Sequence, residues 1–166
     1  MKIFGVVGWK NNGKTGLMER LVAELTVRGL RVSTIKHAHH RFDVDHKGKD
    51  SYRHRAAGAH EVLLASRRRF TLMHEVRGER EPPLAMLLMR MDPVDLVLVE
   101  GYKRDDHAKI EVHRSATGQP LIAVGDPTVV AVASDVVPDN IDCPVFALDD
   151  TVGITEFVLK QTGLEG

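Results

Sequence analysis

Apolar positions along this chain follow two periods. Short runs such as Ile3-Phe4-Gly5-Val6-Val7 and Leu96-Val97-Leu98-Val99 are almost continuously apolar, the pattern of strands buried on both faces. Between such runs, stretches such as Leu17 to Leu25 repeat at the helical spacing of three and four residues. Their alternation predicts an α/β fold, a mostly parallel sheet flanked by helices. Strands are expected at 2–7, 31–36, 95–100, 109–113 and 129–133, and helices at 14–28, 51–57, 84–90 and 151–161. Gly29, Gly58 and Gly163 stand just past three of these helices, where chain reversal favours glycine. Residues 61–66 and 69–74 also read as strands, joined too closely for a crossover helix. They are expected as an antiparallel pair added to the parallel sheet.

The first strand runs into Gly8-Trp9-Lys10-Asn11-Asn12-Gly13-Lys14-Thr15, and the first helix follows at once. This is G-x-x-x-x-G-K-[ST] in its strand–loop–helix context, the signature of a phosphate-binding loop. The glycines let backbone N–H groups turn around a polyphosphate, and the helix start adds unpaired donors and the positive end of a dipole. Lys14 is placed to reach the β/γ-phosphates and the Thr15 hydroxyl to take a Mg²⁺ position.

Such a loop needs an acid for its Mg²⁺, at the carboxyl end of a neighbouring buried strand. The 95–100 strand carries Asp95 and Glu100, separated by roughly 17 Å along an extended chain. In a parallel sheet the phosphate loop sits at the carboxyl ends. That selects Glu100 and leaves Asp95 as a cap or surface acid at the opposite rim.

Length and charge narrow the reading further. At 166 residues, with no internal repeat, low-complexity tract or composition break, the chain is expected to be a single nucleotide-binding domain spanning 1–166. Its 23 basic and 23 acidic residues argue against a general nucleic-acid or membrane-surface binder, which needs a basic excess. The lone Cys143 excludes an internal disulfide and a multi-cysteine metal site. The chain enters a strand with no leader pattern, and no apolar run reaches membrane-spanning length, so a cytoplasmic protein is expected.

A polar loop from His37 to about Lys49 follows the second strand on the same rim, and includes His39, His40, Asp43, Asp45 and His46. Its imidazoles and carboxylates suit a switch-like loop contacting nucleotide-bound Mg²⁺ or a second substrate, with Asp45 as candidate metal ligand. A transition-metal site and a solvated loop are the alternatives, and no recognised zinc spacing is present. Asp43 and Asp45 alternate around Val44, so in an extended loop one of them faces the nucleotide. Asp50 or Ser51 is expected to cap the short helix that follows. Arg53 and Arg55 diverge on it, so at most one points toward a bound anion. Arg67-Arg68-Arg69 reads as a solvated turn.

Together these segments resemble the MobB family of molybdopterin-guanine dinucleotide biosynthesis adapter proteins. The resemblance runs through Gly8 to Thr15, Ile35-Lys36-His37-Ala38-His39-His40 and Asp43-Val44-Asp45. It continues in Gly48-Lys49-Asp50-Ser51-Tyr52-Arg53, Ala56-Ala57-Gly58-Ala59, Leu98-Val99-Glu100-Gly101-Tyr102-Lys103 and Ala131-Val132-Ala133-Ser134-Asp135. It implies a GTP- and Mg²⁺-binding protein, usually a homodimer, that works beside the guanylyltransferase joining GMP to molybdopterin. Carried over by position, Gly8, Trp9, Lys10, Asn11, Asn12, Gly13, Lys14, Thr15 and Gly16 form the phosphate site. Thr15, Glu100 and Asp45 are the metal candidates, and Asp135 with Ser134 the candidates for guanine recognition.

The chain departs from ordinary GTPases in lacking N-K-x-D, and its Trp9 and Lys10 are bulky for a phosphate loop. Neither Gln119 nor Gln161 falls in a strand-end loop beside Glu100, and no arginine is assignable as a finger, so at most slow GTP hydrolysis is expected. A phosphoryl-transfer enzyme, as a small-molecule kinase or general NTPase, is the alternative reading. Metal delivery through the histidine loop is a third.

Overall fold

The computed structural model describes residues 1–38 and 42–165. Eight strands and four helices follow the order β1 (Lys2–Val7), α1 (Lys14–Val27), β2 (Val32–Lys36), α2 (Asp50–Ala56), β3 (Glu61–Ala65), β4 (Phe70–His74), α3 (Leu84–Met89), β5 (Leu96–Glu100), β6 (Lys109–His113), β7 (Val129–Ser134), β8 (Val145–Ala147) and α4 (Thr151–Thr162). A 3-10 turn at Ser115–Thr117 follows β6. The chain divides into two compact units, residues 1–37 with 90–166, and residues 38–89.

The larger unit is a six-stranded sheet in the order β2-β5-β1-β6-β7-β8. All its pairings are parallel. Alternate residues on the strands point to opposite faces, and one face builds the core. Phe4, Val6, Leu96, Leu98, Ile110, Val112, Ala131 and Ala133 pack there against Leu17, Leu21 and Leu25 of α1 and Ile154 and Val158 of α4. The two helices are also tied at the surface, where Arg20 donates to Thr151 Oγ1 and to the Leu148 carbonyl. Asp150 caps α4 by accepting the Gly153 N–H at 2.9 Å. Val97, Val99, Lys109 and Glu111 point to the other face. Glu111 is fully buried there and accepts the N–H groups of Ile122 and Ala123, both at 2.9 Å to Oε2. Buried Lys109 is held beside it by the Asp105 carbonyl and Thr128 Oγ1.

The smaller unit contains the antiparallel β3–β4 hairpin, with Leu63 opposite Leu72, and helices α2 and α3. Arg55 of α2 is its electrostatic centre. The guanidinium donates to Asp43 at 2.9 Å, to Asp45 at 3.2 Å and to Glu75 at 2.8 Å. The expectation that Asp43 and Asp45 diverge is corrected here. Asp43 Oδ1 accepts the Asp45 N–H, closing an Asx turn that aims both carboxylates at Arg55. The expected cap of α2 is also corrected: Lys49 is its N-cap without a side-chain bond, and Ser51 donates its hydroxyl to Asp45 instead. Arg53 is exposed and lies 3.7 Å from Asp50, so the two arginines of α2 do diverge. Arg67 to Arg69 occupy the hairpin turn, closed by Ser66, as expected of a solvated connection.

Candidate functional site

Parallel pairing fixes which ends of the strands meet. Val6 lies opposite Glu100 and Val7 opposite Glu111, so the Gly8–Thr15 loop leaves the sheet one residue beyond Glu100. Asp95 lies at the far rim, where its carboxylate accepts the Arg31 N–H at 2.7 Å. Asp95 thus anchors the start of the second strand and stands apart from the loop.

Within the loop, Gly8 is buried, with φ 144°, and Asn11 and Gly13 also have positive φ, 68° and 98°. The Trp9 carbonyl accepts from Lys14 Nζ at 2.8 Å, and the Trp9 indole donates to the Pro120 carbonyl at 2.7 Å. Asn12 is fully buried and its Oδ1 accepts the Thr117 hydroxyl at 2.8 Å. The 3-10 turn is in turn held by Asp135, whose carboxylate accepts the Ser115 N–H at 2.9 Å and the Ser115 hydroxyl at 3.2 Å. The Ser115 N–H is the main cause of the lowered pKa of Asp135. Asp135 therefore braces the loop through Ser115, Thr117 and Asn12, a role the sequence did not reveal. It remains exposed at the end of β7, and buried Ser134 beside it lies 3.3 Å from His113 Nδ1.

The site is cationic around one acid. Lys36 Nζ lies 3.3 Å from Glu100, whose side chain is 11 % exposed. Burial lowers the Lys14 pKa. Glu100 opposes that shift, while Lys103 and Lys36 add to it. Burial also lowers Lys103. An anion entering here would relieve repulsion among lysines as well as satisfy backbone donors. The guanidinium of Arg114, just past β6, lies against Gly13, within 3.3 Å of where a β-carbon would stand. Lys36, Lys103, Arg114 and Thr117 were not assigned from the sequence. Lys36 and Lys103 stand at strand ends on the rim that selects Glu100, and the same argument reaches them.

Thr15 and Glu100 line a cavity of about 500 Å³ along α1 and β2, together with Met18, Val22, Ile35 and Lys36. A hydroxyl and a carboxylate are hard oxygen donors of the kind Mg²⁺ takes, so these residues fit that ion. Asp45 belongs to the smaller unit, and both its oxygens are engaged, by the His46 N–H, the Ser51 hydroxyl and Arg55. Burial raises its pKa, but those bonds outweigh burial and leave it lowered. His39 and His40 lie outside the described residues. Among the described residues no group of three or more His, Cys, Asp or Glu is arranged to hold a metal.

The family model for molybdopterin guanine dinucleotide synthesis protein B matches residues 3–135. The chain belongs to the MobB family. A molybdopterin-guanine dinucleotide biosynthesis adapter protein of Escherichia coli is 43 % identical over 97 % of this chain and 95 % of its own length. The adapter protein of that name from Haemophilus influenzae is 39 % identical over 94 % of this chain and 86 % of its own length. The crystal structure of Bacillus subtilis MobB superposes with a TM-score of 0.76 at 26 % identity, covering 98 % of each chain. That of a MobB homolog from Bacillus stearothermophilus gives 0.69 at 29 % identity, covering 99 % of this chain and all of that one. Membership of the MobB family accords with the mostly parallel sheet and added antiparallel pair expected from the sequence. No helix among the described residues is long and apolar enough to cross a membrane.

Proposed function

We propose that this chain is a GTP-binding adapter of molybdenum cofactor biosynthesis, assisting the guanylyltransferase that attaches GMP to molybdopterin. The relatives named as adapter proteins support the pathway. The observation that carries the nucleotide reading is the loop's exit from the sheet beside Glu100, with Lys14, Lys36 and Lys103 gathered around that acid. In this reading the N–H groups of Gly8 to Gly16 cradle the phosphates, Lys14 bonds the β/γ oxygens, and Thr15 and Glu100 hold Mg²⁺. Glu100 would exchange Lys36 for the metal. Asp45 would join the metal only by giving up its bonds to Arg55 and Ser51. Asp135, exposed although both its oxygens accept from Ser115, would accept from guanine N1 and N2, with Ser134 beside it. Slow hydrolysis at most is expected, in the cytoplasm.

A homodimer is part of the proposal. Leu63 and Leu64 point to opposite faces of the β3–β4 ribbon, yet both are exposed, as is Phe70 at 69 %. A two-stranded ribbon is marginal alone, and an apolar one that stays uncovered invites pairing across a two-fold axis.

Isothermal titration with GTP and with ATP, Mg²⁺ present, tests the nucleotide reading. GTP is expected to bind more tightly, with the preference lost in Asp135→Ala. Equal or tighter ATP binding would overturn the guanine assignment and favour a small-molecule kinase or general NTPase. Repeating the GTP titration across Mg²⁺ concentrations tests the metal assignment. Glu100→Gln is expected to weaken the Mg²⁺ dependence and Asp95→Asn to leave it intact. Equal effects of the two would remove Glu100 from the metal site.

A further inference from the structure

Lys103 lies three residues beyond Glu100, after a turn in which Gly101 and Tyr102 both have positive φ, 97° and 50°. The Tyr102 ring is stacked on His37 at 4.6 Å between centroids, which fixes this turn against the end of the second strand. The turn returns Lys103 to the phosphate loop, where its Nζ stands 3.8 Å from the centre of the Trp9 ring. Trp9 is pinned by its indole bond to Pro120, and its carbonyl carries the Lys14 ammonium. Two ammonium groups therefore meet at one residue, one on its ring and one on its carbonyl. They are close enough that Lys103 is among the charges depressing Lys14.

A phosphate-loop lysine reaches the β/γ-phosphates. The carbonyl on which Lys14 ends thus marks the terminal end of the phosphate chain, and Lys103 is at that end. The close partner of Lys103 is the π-face of Trp9, and the buried Glu111 carboxylate attracts the ammonium as well. An ammonium on a ring face is held less strongly than one bonded to a phosphate oxygen. A flexible four-carbon stem lets the group exchange one for the other.

The geometry points to Lys103 as a second phosphate-binding lysine, one that leaves the Trp9 ring for the terminal phosphate of a nucleoside triphosphate. It rests on the nucleotide-binding reading above and adds a discrimination to it. A diphosphate leaves Lys103 on the ring, and a triphosphate draws it off. The site then distinguishes the two nucleotides by a contact outside the G-x-x-x-x-G-K-T motif.

Trp9 is the only tryptophan of the chain, so its emission reports on this residue alone. The experiment titrates the full chain, Lys103→Met and Lys103→Arg with GTP and with GDP, Mg²⁺ present, by calorimetry and by Trp9 fluorescence. Lys103→Met is expected to weaken GTP by roughly tenfold while changing GDP by less than about threefold. Lys103→Arg is expected to restore most of the GTP affinity. The GTP and GDP complexes of the unaltered chain are expected to differ in Trp9 emission, a difference lost in Lys103→Met. Equal losses for both nucleotides, or a changed Trp9 emission with both affinities intact, would make Lys103 a pin for the indole and overturn the inference alone. If the unaltered chain binds neither nucleotide, the nucleotide-binding reading falls and this inference with it.

Discussion

Lys14→Ala is expected to raise the GTP dissociation constant at least about a hundredfold while leaving the fold intact. A charge-assisted bond to a phosphate that stays desolvated is worth about 3 kcal/mol, the free energy of a factor of roughly a hundred. The same substitution costs the folded protein little. The bond from Lys14 Nζ to the Trp9 carbonyl is a single contact of a half-buried side chain, with a net worth of about 1 kcal/mol. Against its loss stand the removal of a positive charge crowded by Lys36 and Lys103, and the high helix propensity of alanine at the first position of α1. Calorimetry of GTP binding and a thermal unfolding curve, run on one preparation, separate the two effects. An unchanged GTP dissociation constant in a folded variant would remove Lys14 from the phosphate site.

The elements legible in the sequence were those whose signal is local or set by burial on both faces. β1 and β5 carry their own apolar runs, and β6, in which Ile110 and Val112 alternate with Lys109, Glu111 and His113, falls at the predicted 109–113. β8 was missed because Val145–Ala147 is three residues long and half-exposed. Its pairing comes from β7, which offers a free edge, and a short edge strand has no periodicity of its own to display. The 3-10 turn at Ser115–Thr117 was missed for a related reason. The carboxylate that holds it belongs to Asp135, twenty residues further on. Asp43 and Asp45 were misjudged because alternation assumes an extended backbone, and a side-chain bond from Asp43 bends it.

The candidate site divides in the same way. The loop motif and its strand–helix context are contiguous, and the choice of Glu100 over Asp95 follows from strand direction alone. What no local pattern carries is the brace behind the loop. Asn12 reads as a loop polar residue until Thr117 is seen to occupy its Oδ1. Lys103 reads as a surface lysine until its turn folds it onto Trp9. Both depend on where the segments after β5 and β6 return, and the same neighbourhood makes the loop intolerant of added bulk.

Gly8→Ala is expected to destabilise the fold by about 3 kcal/mol or more and to abolish nucleotide binding with it. Two costs coincide at Gly8. Its φ of 144° lies where side chains are rarely tolerated, worth about 1–3 kcal/mol. An added β-carbon would also stand 2.4 Å from the Val112 carbonyl oxygen, far inside contact distance. The Val112 backbone cannot yield cheaply, because it is buried in the central β6 strand beside β1. For a chain of this size the combined cost corresponds to a fall in unfolding temperature of roughly 6–12 °C. Gly29 supplies the comparison, since it has a φ of 86° but nothing within 4 Å of a β-carbon. Gly29→Ala carries the conformational cost alone, about 1 kcal/mol, and leaves the loop untouched. Thermal unfolding of the two variants side by side isolates the contact with Val112. Equal losses would mean that β6 gives way, and that the close approach of loop and sheet is not what holds Gly8 in place.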